Sequence, residues 1–212
     1  MAPAELLEIV YHFYPRGITL DDPRWRDAPE HRRLEEVARA AGRTKKKWSS
    51  MISRLCTRFP ECNMYSNPDH LLAGRAACYS GTLFFPRTPE RYDDRIAFMV
   101  SFLAPFYALC SLRTFPTAAN RPPVTCLVPN EAERLCWEAI ADEIEATYDV
   151  RSMPADVGHI IVPDVQPGNR RMGEAMIYDC FFDDNPRLVS GENDFALALQ
   201  QEYAALQRRR GQ

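Results

Sequence analysis

Ile96-Ala-Phe-Met-Val-Ser-Phe-Leu-Ala-Pro-Phe-Tyr-Ala-Leu-Cys-Ser-Leu112 runs for 17 residues without a charge, between Arg95 and Arg113. Seventeen residues is the lower limit for a bilayer-spanning helix, and Ser101, Pro105 and Ser111 interrupt the run. Aromatic and β-branched residues on either side of a central proline instead suit two buried strands, 96–103 and 106–113, joined at a bend. Upstream, Cys62–Ser66 and Ala77–Phe85 read as further strands, the second with Gly81 as a bulge and Pro86 as its stop. Residues 114–123 are proline-rich and loop-like, and Val124–Val128 forms a short strand leading into a helix.

Farther out, Leu6–Tyr14 is rich in β-formers and ends at the turn signal Pro15-Arg16-Gly17, which predicts a first strand. Asp27 and Glu30 then form a capping-box pattern around Pro29. Leu34, Val37, Ala38 and Ala41 follow at helical spacing, and Trp48, Met51, Ile52 and Leu55 resume the phase. Gly42 breaks or weakens this helical block, and Phe59-Pro60 closes it. Beyond the hairpin, His159–Val162 and Ala175–Phe182 read as strands, and the Ala/Leu/Gln-rich tail 196–207 as a helix. Hairpin-like connections with helices before and between the strands predict an α+β fold, a mostly antiparallel sheet packed against a few helices. The regular alternation of a doubly wound parallel sheet is missing.

With 212 residues, 46% hydrophobic and 26% charged, the chain is expected to form one domain over residues 1–212. Four histidines, seven cysteines and nine glycines leave little room for a disulfide framework, a His-rich metal site or a glycine-rich nucleotide loop. No cofactor and no metal is expected. The cysteines are odd in number and scattered through apolar stretches, as reduced buried thiols are. The start of the chain shows no basic n-region or apolar h-region, so a cytoplasmic location is the expectation.

The net charge of −3 averages two unlike parts. Residues 1–125 carry 18 Lys+Arg against 13 Asp+Glu, whereas residues 126–212 carry 8 against 16. Without Arg208, Arg209 and Arg210 the second part stands at 5 against 16. Such a segment repels nucleic acid and attracts cationic proteins. All three lysines are consecutive, Lys45, Lys46 and Lys47; the arginine bias elsewhere fits codon usage.

The acidity is patterned. Asn130 and Glu133 form a second capping box, opening a helix whose core stripe is Cys136, Trp137, Ile140, Ile144, Thr147 and Tyr148. At about 100° per residue, Glu131, Glu138, Asp142, Glu145 and Asp149 fall within about 60° of one another on the opposite side. Arg134 alone lies beside them, with no lysine in the segment. A solvated face kept polar for solubility explains acids in general, but such faces usually alternate Glu with Lys at i,i+4. A second acidic cluster comprises Asp179, Asp183, Asp184, Glu192 and Asp194. Residues 183–186 lack the ligand alternation of a calcium loop.

Catalytic patterns fail in turn. Asp164 and Glu174 mimic the first two acids of a metal-dependent nuclease, but Met176 stands where its lysine belongs. Cys56, Cys62, His70 and Cys78 lack zinc-ligand spacing. Cys180 with His159 as base has no glycine elbow or helix start to activate a thiolate, and Ser190-Gly191 lacks the nucleophile frame. No catalytic residue is expected, and the chain reads as a non-enzyme.

Five segments carry a resemblance: Val10–Gly17 (VYHFYPRG), Trp48–Leu55 (WSSMISRL), His70–Gly74 (HLLAG), Ser101–Tyr107 (SFLAPFY) and Gly173–Cys180 (GEAMIYDC). Over most of residues 6–182 the chain resembles small proteins of myxobacteria and related bacteria. These are immunity proteins of polymorphic toxin systems, of the group called immunity protein fifty-two, whose partners are restriction-endonuclease-like toxins. The resemblance implies an inhibitor that binds a basic, nuclease-like toxin in the cytoplasm, with no direct nucleic-acid or membrane contact. The partner-facing residues expected are Glu138, Asp142, Glu145, Asp183 and Asp184. An adaptor or defence component with a non-toxin partner, an enzyme with an unmotifed Cys/His site, and a homodimer remain alternatives.

Overall fold

The computed structural model describes residues 1–66, 77–86, 94–113, 124–126, 129–131, 133–168 and 170–182. Its centre is the hairpin expected from the uncharged run: β3 (Arg95–Ser101) and β4 (Phe106–Arg113) pair antiparallel, with Phe98 opposite Leu109. On one side β3 pairs with β2 (Cys78–Phe84), which pairs with β1 (Asn63–Ser66); on the other, β4 pairs with β5 (Val124–Cys126). All these pairings are antiparallel and the five strands lie in chain order. A two-residue strand, β6 (Arg151–Ser152), runs parallel to β4 at Phe106 and Tyr107, outside the segment that β5 covers. The fold is therefore α+β, as the sequence predicts.

Side-chain alternation divides the sheet residues between two cores. Ala97, Met99, Ala108, Cys110 and Leu112 face α1 (Pro3–Phe13) and α7 (Ile177–Phe182). Ile96, Phe98, Val100, Tyr107 and Leu109 face α4 (Lys46–Arg58) and α5 (Arg134–Thr147). Burial of each large apolar side chain contributes about 1.5–3 kcal/mol, and a strand apolar on both faces explains why the central run carries no charge. Helix α3 (Pro29–Arg43) packs on α1, with Leu34 in the first core and Ala41 against the second. The short α6 (Ala155–Gly158) packs by α7.

Several expectations are corrected. Leu6–Tyr14 is helix, not strand: Leu6, Val10 and Tyr14 are buried at intervals of four, and Pro3 sits at the first helical turn, where its missing N–H costs nothing. Ala175–Phe182 is not a strand either, because residues 177–182 form α7 with every residue buried, so no polar alternation marks its period. His159–Val162 reduces to a single bridge between Ile161 and Met176. Asp27 does not cap α3; it ends a separate short helix, α2 (Pro23–Asp27), whose cap is Asp22 accepting from the Arg24 amide at 2.9 Å. The helical block divides at Thr44, one turn's edge beyond Gly42. Gly81 forms no bulge, since it pairs regularly with Ser66 and Phe98. Residues 127–128, 183–194 and the tail 196–207 fall outside the described residues.

Candidate functional site

The site expected from the sequence lies on α5. The box read from the pattern forms in the turn ahead of α5, whose flanking residue is Glu133 rather than the expected Asn130: the Glu133 amide donates to Asn130 Oδ1 at 2.9 Å, and the Asn130 amide donates to Glu133 Oε2 at 3.0 Å. The same Glu133 oxygen accepts from the Ser111 hydroxyl at 2.9 Å, so one buried carboxylate joins the helix start to β4. Cys136, Ala139, Ile140 and Ile144 are the buried stripe that presses α5 onto the sheet. Glu138, Asp142 and Glu145 consequently turn outward, and all three are exposed. Glu131 and Asp149 are also exposed but lie beyond the ends of α5, so the helical ridge holds three acids rather than five.

Neutralisation of these acids is uneven. Glu143, on the flank toward α4, accepts from Arg54 Nε at 2.6 Å, and Arg54 Nη2 also reaches Thr147 Oγ1 at 2.8 Å. Glu145 accepts from the Tyr107 hydroxyl at 2.7 Å. Burial, then this carboxylate, push the Tyr107 phenol well above its ordinary range. At the carboxyl end of α5, Lys47 Nζ stands 4.8 Å from the centre of the Tyr148 ring. A cation from α4 thus approaches where the sequence places none in the segment itself. Glu138 and Asp142, four residues apart, have no hydrogen bond or ion pair among the described residues. Like charges at that spacing cost a few tenths of a kcal/mol each, which the fold tolerates without apparent structural return.

Two contributors escaped the sequence. Leu135 is 76% exposed and, at about 60° from Glu138 on the helix, places an apolar side chain beside the ridge. Its position off the buried stripe was a readable signal. Tyr107 was unreadable in this role, since only the fold sets β4 beneath Glu145.

Other candidates separate. Asp179 does not belong to a surface acidic cluster: it is 2% exposed and binds Arg170, whose Nη2 lies 2.8 Å from Oδ1, while Oδ2 accepts from the Met176 amide. Asp183, Asp184, Glu192 and Asp194, with Ser190 and Gly191, lie outside the described residues. Cys180 is fully buried in α7, and burial followed by the Asp179 charge drives its thiol well above its ordinary value, the reverse of an activated nucleophile. His159 caps α6, its amide donating to the Ala155 carbonyl at 3.1 Å, and shares no hydrogen bond with Cys180 among the described residues. Asp164 accepts from Arg16 Nε at 2.6 Å, tying the loop after α1 to residues 163–166, while Glu174 points to solvent.

Cys56 is exposed on α4 whereas Cys78 is buried in β2, and His70 is outside the described residues. Cys62 is pushed up to about 11, by burial first, then by Cys136 and Glu61. Among the described residues no group of three or more His, Cys, Asp or Glu is placed to hold a metal ion. A shallow groove along α1 is lined by Glu5, Glu8, Ile9, His12, Phe13 and Leu103, away from both Cys180 and His159. Among the described residues no helix is long and apolar enough to cross a membrane. Comparison with protein-family models, with curated proteins and with solved structures finds no match to this chain.

Proposed function

We propose that this chain is an immunity protein that binds a cognate bacterial toxin domain, a basic nuclease-like protein, and blocks it by protein–protein contact. The reading places the chain in the cytoplasm and assigns it no chemistry of its own. The observation that carries it is the uneven pairing along α5: Glu143, turned toward α4, is paired with Arg54, whereas Glu138 and Asp142, turned outward with Arg134 one turn from Glu138, form no ion pair among the described residues. A nuclease must present cations to phosphate, so outward carboxylates imitate the charge of its substrate and speed encounter. Leu135 adds an apolar contact next to them, in the manner of a small desolvated anchor within a polar rim. Asp183 and Asp184 belong to the same proposal, on the segment that follows α7.

The test is coexpression with the neighbouring open reading frame, scored as rescue of growth. Rescue by the natural chain, lost in Glu138→Lys/Asp142→Lys, is expected. In purified form the variant should bind the toxin at least roughly tenfold more weakly, with a shallower dependence on salt. Unchanged affinity removes the ridge from the interface, and failure of the natural chain to rescue removes the immunity reading.

A further inference from the structure

Helix α1 carries more apolar surface than the first core uses. Leu6, Val10 and Tyr14 are buried, but Ile9 and Phe13, on one flank of that stripe, are only half-buried, and Met1 is 46% exposed. With Leu103 from the turn between β3 and β4, these side chains line the groove described above, together with Glu5, Glu8 and His12. A helix apolar on this many sides is one that neighbours cover on more than one side. The charges along the groove are ordered as well. Glu5 and Glu8 stand toward its amino end, two acids against the Met1 amine. His12 stands at the carboxyl end, where Arg33, itself paired with Glu30, donates from Nε to the His12 carbonyl at 2.8 Å.

We infer that residues 195–210 of this same chain occupy the groove as a helix antiparallel to α1. These residues lie outside the described ones; their sequence and their point of attachment suit the groove. At about 100° per residue Phe195, Leu199, Tyr203 and Leu206 fall within about 80° of one another, an apolar stripe with Glu202 at its margin. A helix over 195–207 measures about 20 Å and α1 about 16 Å, so the two match in length. The Cys180 carbonyl of α7 accepts from the Tyr14 hydroxyl at 2.8 Å, so the chain leaves α7 beside the carboxyl end of α1. Residues 183–194 can span up to about 40 Å, enough to turn back from there. Running from that end toward the amino end of α1, the segment brings Leu199 level with Phe13 and Tyr203 level with Ile9. Glu192 and Asp194 then come to the His12 end, and Arg208, Arg209 and Arg210 to Glu5 and Glu8. The opposite direction sets like charges together at both ends, so charge selects the antiparallel one. Antiparallel neighbours also oppose their helix dipoles favourably. The tether makes the contact intramolecular, and therefore independent of protein concentration.

Hydrogen–deuterium exchange on the full chain, read peptide by peptide, tests this. Peptides within 195–207 are expected to exchange at least roughly tenfold more slowly in the natural chain than in Leu199→Asp/Leu206→Asp. Those two changes lie outside the described fold, so peptides over β3 and β4 should keep their protection, while peptides over α1 should exchange faster. Glu8→Arg, a change at an exposed position, should lower the protection of the same tail peptides, and adding Arg208→Glu/Arg209→Glu should restore part of it. A natural tail that exchanges as an unfolded chain overturns the inference and leaves the groove to another molecule. Tail protection whose loss in Leu199→Asp/Leu206→Asp leaves α1 indifferent also overturns it, since the tail then docks elsewhere. Protection that grows with protein concentration assigns the groove to a second copy's tail and overturns it too, and protection unchanged by Glu8→Arg overturns the antiparallel placement. Rescue of growth is a separate outcome, because no residue from 195 onward belongs to the toxin-facing set.

Discussion

A methyl group on Gly81 would overlap the ring of Phe98, its cross-strand partner, standing 2.5 Å from Cε2. The residue is glycine because the far edge of the Phe98 ring occupies the space a Cβ would take, not because the strand bulges. Phe98 is fully buried and cannot swing aside without displacing Trp48, whose ring centre is 5.7 Å away. Gly81→Ala is therefore expected to destabilise the chain by about 1–3 kcal/mol in urea unfolding, as overpacked cores do. Phe98→Leu, harmful alone, should recover part of that loss in the double variant. Strictly additive losses would show that the two positions do not touch.

Among the elements, α5 was legible in sequence because its two signals are local: a capping box three residues apart and an apolar stripe of helical period. Removing the first signal gives a measurable outcome. Asn130→Ala should cost about 1 kcal/mol in urea unfolding, and Glu133→Ala about 1–3 kcal/mol, because the Ser111 hydroxyl also loses its acceptor. Since the two residues bond reciprocally, the double variant should lose less than the sum; full additivity would refute the box. The central strands were equally legible from their charge-free run.

By contrast, the sequences of α1 and α7 look like strands for physical reasons. Ile9, Val10, Tyr11 and Phe13 favour strands intrinsically, yet docking Leu6, Val10 and Tyr14 into one core overrides that preference. In α7 burial on every side erases the periodicity from which a helix is recognised. The acidic ridge could be drawn from spacing alone, but its surroundings could not: Tyr107 on Glu145, Arg54 on the neighbouring Glu143 and Lys47 over the Tyr148 ring each arrive from a distant part of the chain.

For the whole molecule, three tyrosines link stability to alkaline pH. Tyr107 and Tyr148 on the α4/α5 side and Tyr178 on the other are all raised, burial being the first cause in each case. The unfolded chain releases these protons from about pH 10 while the folded chain retains them, so the unfolded state is favoured as pH climbs. Their contribution is complete below that value and is lost above it. Thermal melts should show a falling midpoint beyond about pH 10, and near-ultraviolet absorbance should show part of the nine tyrosines titrating only on unfolding. A midpoint flat to alkaline pH would contradict this.

The outer side of β4 is divided between β5 and β6, which approach from distant parts of the chain and run in opposite directions. At three and two residues, neither offers a foreign strand a backbone run long enough to copy. That boundary is guarded by brevity, so lengthening either piece into a regular strand would invite end-on growth into fibrils.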